Sequence, residues 1–302
     1  MSPIVRTENL SKTFRGTKAL DGISLELEEG LIYGLVGRNG AGKTTLLTSL
    51  TGQTLPDAAS TIELFGEAPS RANLARTHLA RTGQTYPDDA SVHQVLRMGR
   101  IAYRNWDQSL ALSLLMDFRV PLTARARRLS DGQKSALGIA VALASRAELT
   151  LMDEPYTGLD PVARGIFYDR ILQDFSANPR TFVISTHLID EIAPLLNRVI
   201  LLDEGRVVFT GDAEDAVYTA HEIAGSQDAV SVYLAKASLE GAVVRERSIG
   251  ALRSAVLAAP LTDECHHLAA ELGVNVQPVA LQDTVAAHSG AASTHRTTGG
   301  AQ

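Results

Sequence analysis

Gly37-Arg38-Asn39-Gly40-Ala41-Gly42-Lys43-Thr44 is the stretch whose reading decides the fold. An apolar run, Leu31-Ile32-Tyr33-Gly34-Leu35-Val36, precedes it, and a helix-forming run, Thr45-Leu46-Leu47-Thr48-Ser49-Leu50, follows. Strand, glycine loop and helix is the context in which G-x-x-x-x-G-K-[ST] holds a polyphosphate. The glycines let the backbone turn tightly and aim its N–H groups inward. The helix starting near Lys43 adds its positive end at the same place. A triphosphate fits there, with backbone amides from Gly37 to Thr45 on the phosphates, the Lys43 ammonium bridging β and γ, and the Thr44 hydroxyl on Mg²⁺. The alternative, an ordinary glycine-rich strand-to-helix turn, leaves unexplained a lysine and a hydroxyl residue directly after the last glycine.

Outward from this loop the pattern alternates. Residues 3–10 and 18–27 read as strands of a half-buried antiparallel ribbon, with Phe14 between them as a core or loop anchor. Thr61–Gly66 reads as a further strand and turn, residues 70–77 as a short helix, and Leu79 to Gln84 as a strand ending at a glutamine. From Ser91 to about Ala144 the periodicity is helical, ending in a small-residue run from Ala136 to Ala144. Glu148 to Met152 is a short apolar strand closed by Asp153 and Glu154. Parallel α/β sheets place their ligands at the C-terminal ends of strands. There Asp153 suits the water shell of Mg²⁺, and Glu154 could activate a water. A turn cap before Pro155 is the plainer role for Asp153. Val162–Phe175 is an amphipathic helix, and Arg180–Thr186 a buried strand ending at His187. A lone histidine at a strand end is more often structural, but this one ends its strand as Asp153 does. Val199–Leu202 and Arg206–Phe209 form a hairpin about Asp203-Glu204-Gly205. Alternating strands and helices to about residue 211 call for a mainly parallel sheet with helices on both faces.

After Gly211 the pattern changes. It reads as a helix from about Ala213 to Ile223, apolar runs at Val230–Leu234 and Gly241–Val244, helices at Ala251–Leu257 and Cys265–Leu272, and a closing run from Val274. The sum is a small α/β appendage of two or three strands and two helices. From about Ser289 the residues are small and polar, the composition of a disordered tail.

The bulk numbers narrow the function classes. Across 302 residues, 28 Lys and Arg against 34 Asp and Glu give a net charge of −6, so no broad cationic face for nucleic acid is expected. The single cysteine, Cys265, leaves no internal disulfide. No apolar run approaches the roughly 20 residues of a membrane helix, and the N-terminal residues do not read as a signal peptide.

Leu129-Ser130-Asp131-Gly132-Gln133, placed before a helix and upstream of the Asp153-Glu154 strand, narrows the reading further. As a local feature, Ser130 is a helix N-cap. In order with the other pieces, the pentapeptide is similar to the signature sequence of ABC transporter ATP-binding subunits, and the resemblance runs from about Ile4 to Gly211. The resemblance implies an α/β P-loop NTPase (RecA-like) core with an antiparallel β subdomain and an ABC-specific helical subdomain, followed by the appendage. It sets the ATP-binding domain at residues 1–211 and its helical subdomain at about 88–145, while the change of pattern and the composition beyond set the appendage at 212–288 and the tail at 289–302. It implies Phe14 stacking on adenine, Gln84 touching Mg²⁺ and the attacking water, and Asp153 as the Mg²⁺-associated acid. It implies Glu154 as the general base, Asp160 of Gly158-Leu159-Asp160 at a dimer interface, and His187 on the γ-phosphate. Ser130, Gly132 and Gln133 would face the ATP of a partner subunit. ATP and Mg²⁺ are the implied cofactors. Membrane-spanning subunits on separate chains and a second ATP subunit are the implied partners, with the chain on the inner face of the cell membrane.

The chain departs from the family pattern at Asp131, where glycine is the common residue. A carboxylate there would repel a γ-phosphate unless it faces away or finds a cation. Arg125, Arg127, Arg128 and Lys134 are the nearby candidates. Val276 to Val285 resembles the closing strand and helix of ATP subunits from ABC-2-type exporters, and a generic stabilising extension accounts for it equally. Three rivals stand beside the transport ATPase. A soluble ABC ATPase, for instance in cofactor assembly, would lack a membrane partner. A small-molecule kinase leaves Ser130–Gln133 and His187 without a role, and an inactive scaffold leaves Lys43, Glu154 and His187 without one.

Overall fold

A computed structural model describes residues 3–83, 86–87, 89–213 and 220–279. The chain opens with an antiparallel hairpin of β1 (Val5–Phe14) and β2 (Thr17–Leu27). It then enters β3 (Ile32–Val36), whose five residues are all buried. The glycine loop leads into α1 (Lys43–Leu50). Next, β4 (Thr61–Leu64) returns to the free side of β1, giving a three-stranded sheet in the order β2-β1-β4.

A short α2 (Arg71–Leu74) and β5 (Thr77–Arg81) precede the helical insertion of α3 (Val92–Ala102), α4 (Gln108–Asp117) and α5 (Asp131–Ala144). The chain continues through β6 (Leu149–Asp153), α6 (Pro161–Ala177), β7 (Thr181–Thr186), the short α7 (Ile189–Ile192), β8 (Arg198–Asp203) and β9 (Arg206–Asp212). The main sheet has the order β5-β6-β7-β3-β8-β9; β9 alone runs antiparallel to its neighbour. Every residue of β6 and β7 is buried, as a parallel strand covered on both faces requires.

The alternation of β3 divides two cores. Ile32 and Val36 join the core made with α3, α4, α5 and α6; Tyr33 and Leu35 join the one made with α1 and the hairpin. At the end of the sheet opposite the glycine loop, Arg146 joins the N-cap of α4 to α6. It bonds Asp107 at 2.8 Å and also Asp174, which Arg180 contacts at 2.6 Å. The insertion is thus tied to the sheet by charge as well as by apolar packing.

The C-terminal part differs from its reading. It contains β10 (His221–Ser226), α8 (Gln227–Lys236), β11 (Val243–Ile249), β12 (Leu252–Leu257), α9 (Asp263–Leu272) and β13 (Asn275–Pro278). The four strands form an antiparallel sheet, β11-β12-β10-β13, giving the split βαββαβ topology. The expected helix to Ile223 ends too late, because His221–Ser226 pairs on both sides as β10; residues 214–219 lie outside the described part. The Val230–Leu234 run is helical: Ser226 caps it, and Val230, Tyr233 and Leu234 fall on one buried face. Ala251–Leu257 is not a helix. Leu252–Leu257 is the strand between β11 and β10, where Ala255 and Leu257 pack beneath α8 and α9. Tertiary pairing overrides local propensity at both places. The expected tail, and the end of the stretch compared with exporter subunits, lie outside the described residues.

Candidate functional site

The main sheet delivers the glycine loop at the C-terminal end of β3. Glycine is required sterically at two positions. A Cβ at Gly37 would stand 2.3 Å from the Leu202 carbonyl oxygen, and one at Gly42 2.5 Å from that of Ala19. Gly42 also has φ +106°, which side chains disfavour. As the N-cap of α1, Gly42 offers no side chain to the first turn.

The other helices of eight or more residues among those described begin differently. Ser91, Asp107, Ser130, Asp160, Ser226 and Thr262 each accept a first-turn N–H of α3, α4, α5, α6, α8 and α9. Only α1 leaves its first-turn donors without such a cap, and uncapped donors at a positive helix end suit an anion. Arg38, Asn39 and Gly40 are exposed on the loop, Ala41 is buried, and Thr44 and Thr45 stand in the first turn. Lys43 is buried, and its Nζ donates to the carbonyls of Gly37 at 2.6 Å and Arg38 at 3.2 Å. Burial pushes the Lys43 pKa down, while the charges of Glu154 and Asp153 oppose that fall.

The carboxylates meet this loop from β6. Asp153 accepts the Thr44 hydroxyl at 2.7 Å on one oxygen and the Ser185 hydroxyl at 2.7 Å on the other. Glu154 takes the left-handed φ of +47°, and its N–H donates to Ser185 Oγ at 2.9 Å. Strained backbone of this kind persists where neighbours hold it, often at working sites. Thr82 Oγ1 donates to the Glu154 carbonyl at 2.6 Å and completes the hold. One oxygen of Glu154 lies 3.8 Å from Lys43 Nζ, and the other lies 3.2 Å from His187 Nδ1. The structure therefore brings together Lys43, Thr44, Asp153, Glu154 and His187.

The signature segment is organised separately. Ser130 Oγ accepts the Gln133 N–H at 3.3 Å while Gln133 Oε1 accepts the Ser130 N–H at 3.1 Å, a complete capping box. Asp131 does find a cation: Lys134 Nζ lies 3.1 Å away, whereas Arg125 and Arg127 bond Asp89 instead. Gly132 abuts the Gly158 turn, so a Cβ there would stand 2.5 Å from the Gly158 carbonyl oxygen. Asp160 caps α6 through the Ala163 N–H at 2.8 Å. Phe14 is half exposed at the hairpin end, with Lys12 Nζ 5.2 Å from its ring centre. No hydrogen bond or ion pair among the described residues joins Ser130–Gln133 to the Lys43 cluster. Gln84 lies outside the described residues.

Sequence reading missed Thr82, Tyr156 and Ser185, which hold the carboxylates and the histidine in place. The one available signal was the pair of hydroxyl residues, Ser185-Thr186, directly before His187. Among the described residues no three His, Cys, Asp or Glu side chains cluster as a metal cage. Thr44 and Asp153 supply hard oxygens to one side only, which suits an ion completed by waters and phosphate oxygens, the habit of Mg²⁺.

A family model described as "ABC transporter" matches residues 20–157. The Nod factor export ATP-binding protein I of Burkholderia lata is 36% identical over 233 residues, covering 74% of this chain and 75% of its own. The daunorubicin/doxorubicin resistance ATP-binding protein DrrA of Streptomyces peucetius is 33% identical over 216 residues, covering 68% and 64%. Among solved structures, cbiO1 from Clostridium perfringens, part of the cbiONQ transporter complex, matches with a TM-score of 0.58 at 25% identity, covering 71% of this chain and 90% of its own. An ATP-binding cassette solved as a post-hydrolysis dimer with ADP and phosphate matches in fold, with a TM-score of 0.60 at 21% identity, covering 69% and 98%.

Proposed function

The chain belongs to the family of ABC transporter ATP-binding subunits, and on that premise we propose that it is the ATPase of an exporter whose membrane-spanning subunits are separate chains. The observation that carries the reading is one convergence. The one uncapped long helix among those described, its lysine, two carboxylates and a histidine meet at the C-terminal ends of β3, β6 and β7. No described helix is long and apolar enough to cross a membrane, so movement of a substrate falls to partner chains.

In this reading the loop amides and Lys43 hold the β- and γ-phosphates of ATP, and Phe14 takes the adenine. Thr44, Asp153 and Gln84 would hold Mg²⁺, which supplies neutralisation of phosphate charge. Glu154 accepts the proton of the attacking water, and its distance to Lys43 keeps its negative charge balanced. The imidazole of His187 stands beside Glu154 and donates to the γ-phosphate. Two chains dimerise head to tail, so that Ser130–Gln133 of one faces the ATP on the loop of the other. The Ser130 oxygen accepts its own helix's N–H, which leaves the hydroxyl proton for a phosphate oxygen. ATP closes the dimer, hydrolysis reopens it, and the chain works at the inner face of the membrane. The reading assigns this chemistry to a first unit proposed to end near residue 211, with the appendage outside it. As in the relatives named for export, the movement powered is outward.

The test is co-purification. A membrane protein with about six apolar spans of membrane length, encoded beside this chain, is expected to extract as a complex with it and to stimulate its ATP hydrolysis. A chain that hydrolyses ATP at full rate, and neither binds nor responds to any such protein, contradicts the transport role.

A further inference from the structure

The hydroxyl of Tyr156 has no part in the chemistry above, yet it is buried against it. Tyr156 is 2% exposed. Its hydroxyl oxygen accepts the His187 N–H at 3.1 Å and lies 2.5 Å from Thr186 Oγ1. Thr186 Oγ1 in turn accepts the Leu188 N–H at 2.8 Å. Two side-chain oxygens therefore hold the backbone at His187 and just after it. The His187 side chain is 49% exposed, so apolar packing alone does not fix the imidazole. The phenol ring also lies tilted against the imidazole, with centroids 5.9 Å apart. Burial pushes the phenol pKa above its usual value, so the group remains a neutral O–H at physiological pH.

The same residue is anchored at its other end. The Tyr156 carbonyl accepts the Leu159 N–H at 3.0 Å, and the Glu154 carbonyl accepts the Thr157 N–H at 3.1 Å. Gly158 of this turn abuts Gly132 at the start of α5. Turn 154–160 thus reaches the end of β7 through the Tyr156 hydroxyl and the start of α5 through Gly158.

We infer that Tyr156 is a positioning residue: its hydroxyl ties the Glu154–Asp160 turn to the backbone of His187, so that Glu154, His187 and the start of α5 shift as one body. The inference rests on the roles proposed for Glu154 and His187. Phenylalanine would fill the same space while leaving the His187 N–H without its acceptor, and so isolates the bond.

The experiment compares the full chain with Tyr156→Phe, Thr186→Val and the double variant, by ATP hydrolysis, thermal unfolding and amide exchange at His187. Tyr156→Phe is expected to lower kcat about five- to tenfold while the KM for ATP stays within about twofold. The His187 amide is expected to exchange about tenfold faster or more, with unfolding still cooperative. Thr186→Val should give the same pattern, and the double variant should be no worse than the worse single one. Unchanged kcat with unchanged His187 exchange overturns the inference. So does a rise in KM that accompanies general loss of stability, which marks a merely structural residue. If the wild-type chain hydrolyses no ATP, the proposed function is what fails, and the His187 exchange rates alone decide the tie: faster exchange in Tyr156→Phe supports it, and unchanged exchange overturns it.

Discussion

The N-termini of α1 and α5 are both assigned to phosphate, yet they are built in opposite ways. At α1 a glycine stands where other long helices carry a capping side chain, and the first-turn donors are left for a ligand. At α5 the Ser130 side chain accepts the Gln133 N–H, the Gln133 side chain accepts the Ser130 N–H, and Asp131 is paired with Lys134. In the proposed reading the first half of the site holds its ligand through backbone that only glycine permits. The second is a capped helix start that can approach and leave with its capping box intact. A site split in this way would hold ATP on one chain and gate its reaction on another. The difference gives a physical reason why the ATP-binding unit works in pairs.

Four substitutions sharpen or break that contrast. The largest effect belongs to Lys43→Ala, which removes the ammonium bonded to the loop carbonyls of Gly37 and Arg38. ATP hydrolysis should fall to about 1% of wild type or less, as when a preorganised charge is lost from phosphoryl transfer. Gly42→Ala comes next, because the added Cβ meets the Ala19 carbonyl at 2.5 Å in a left-handed conformation. It should cost about 1–3 kcal/mol in stability by denaturant unfolding, and nucleotide titration should show weakened ATP binding. An alanine there that leaves both unchanged would refute the account of the open helix end.

Ser130→Ala acts on the other half. Loss of the cap should cost about 1 kcal/mol of stability. ATP affinity of the single chain should hold while ATP-driven dimerisation weakens, which equilibrium binding and sedimentation separate. The smallest effect is expected for Lys134→Ala, since the Asp131 side chain it pairs with is 90% exposed. The melting temperature should move by less than about 2 °C, but the freed carboxylate should make dimerisation more sensitive to salt.

Much of the first unit is legible because its parallel strands read as mainly apolar runs. Phe182–Ile184 is one, ending at Ser185, and Leu149–Met152, interrupted only by Thr150, ends at Asp153. The glycine loop is legible for a different reason: sterics demand glycine at positions 37 and 42, and chemistry demands the lysine and threonine that follow. The hydroxyl partners were not legible. Ser185 meets Asp153 across 32 residues and Tyr156 meets Thr186 across 30, and no spacing or periodicity announces such pairings. The appendage misled for a third reason. Its β12 contains alanine and leucine and is a strand only because β10 and β11 flank it, while α8 carries two valines and a tyrosine, strand-favouring residues, on a well-capped helix.

The central claim is that two chains close over ATP and that Glu154 reopens them. Its most direct test follows Glu154→Gln beside wild type in Mg²⁺-ATP, reading oligomeric state and hydrolysis together. The account predicts that the wild-type chain hydrolyses ATP and stays mainly monomeric, while the variant loses about 10²-fold or more in rate and accumulates as an ATP-bound dimer. A variant that hydrolyses at the wild-type rate, or that binds ATP tightly yet remains a monomer at every concentration, contradicts it.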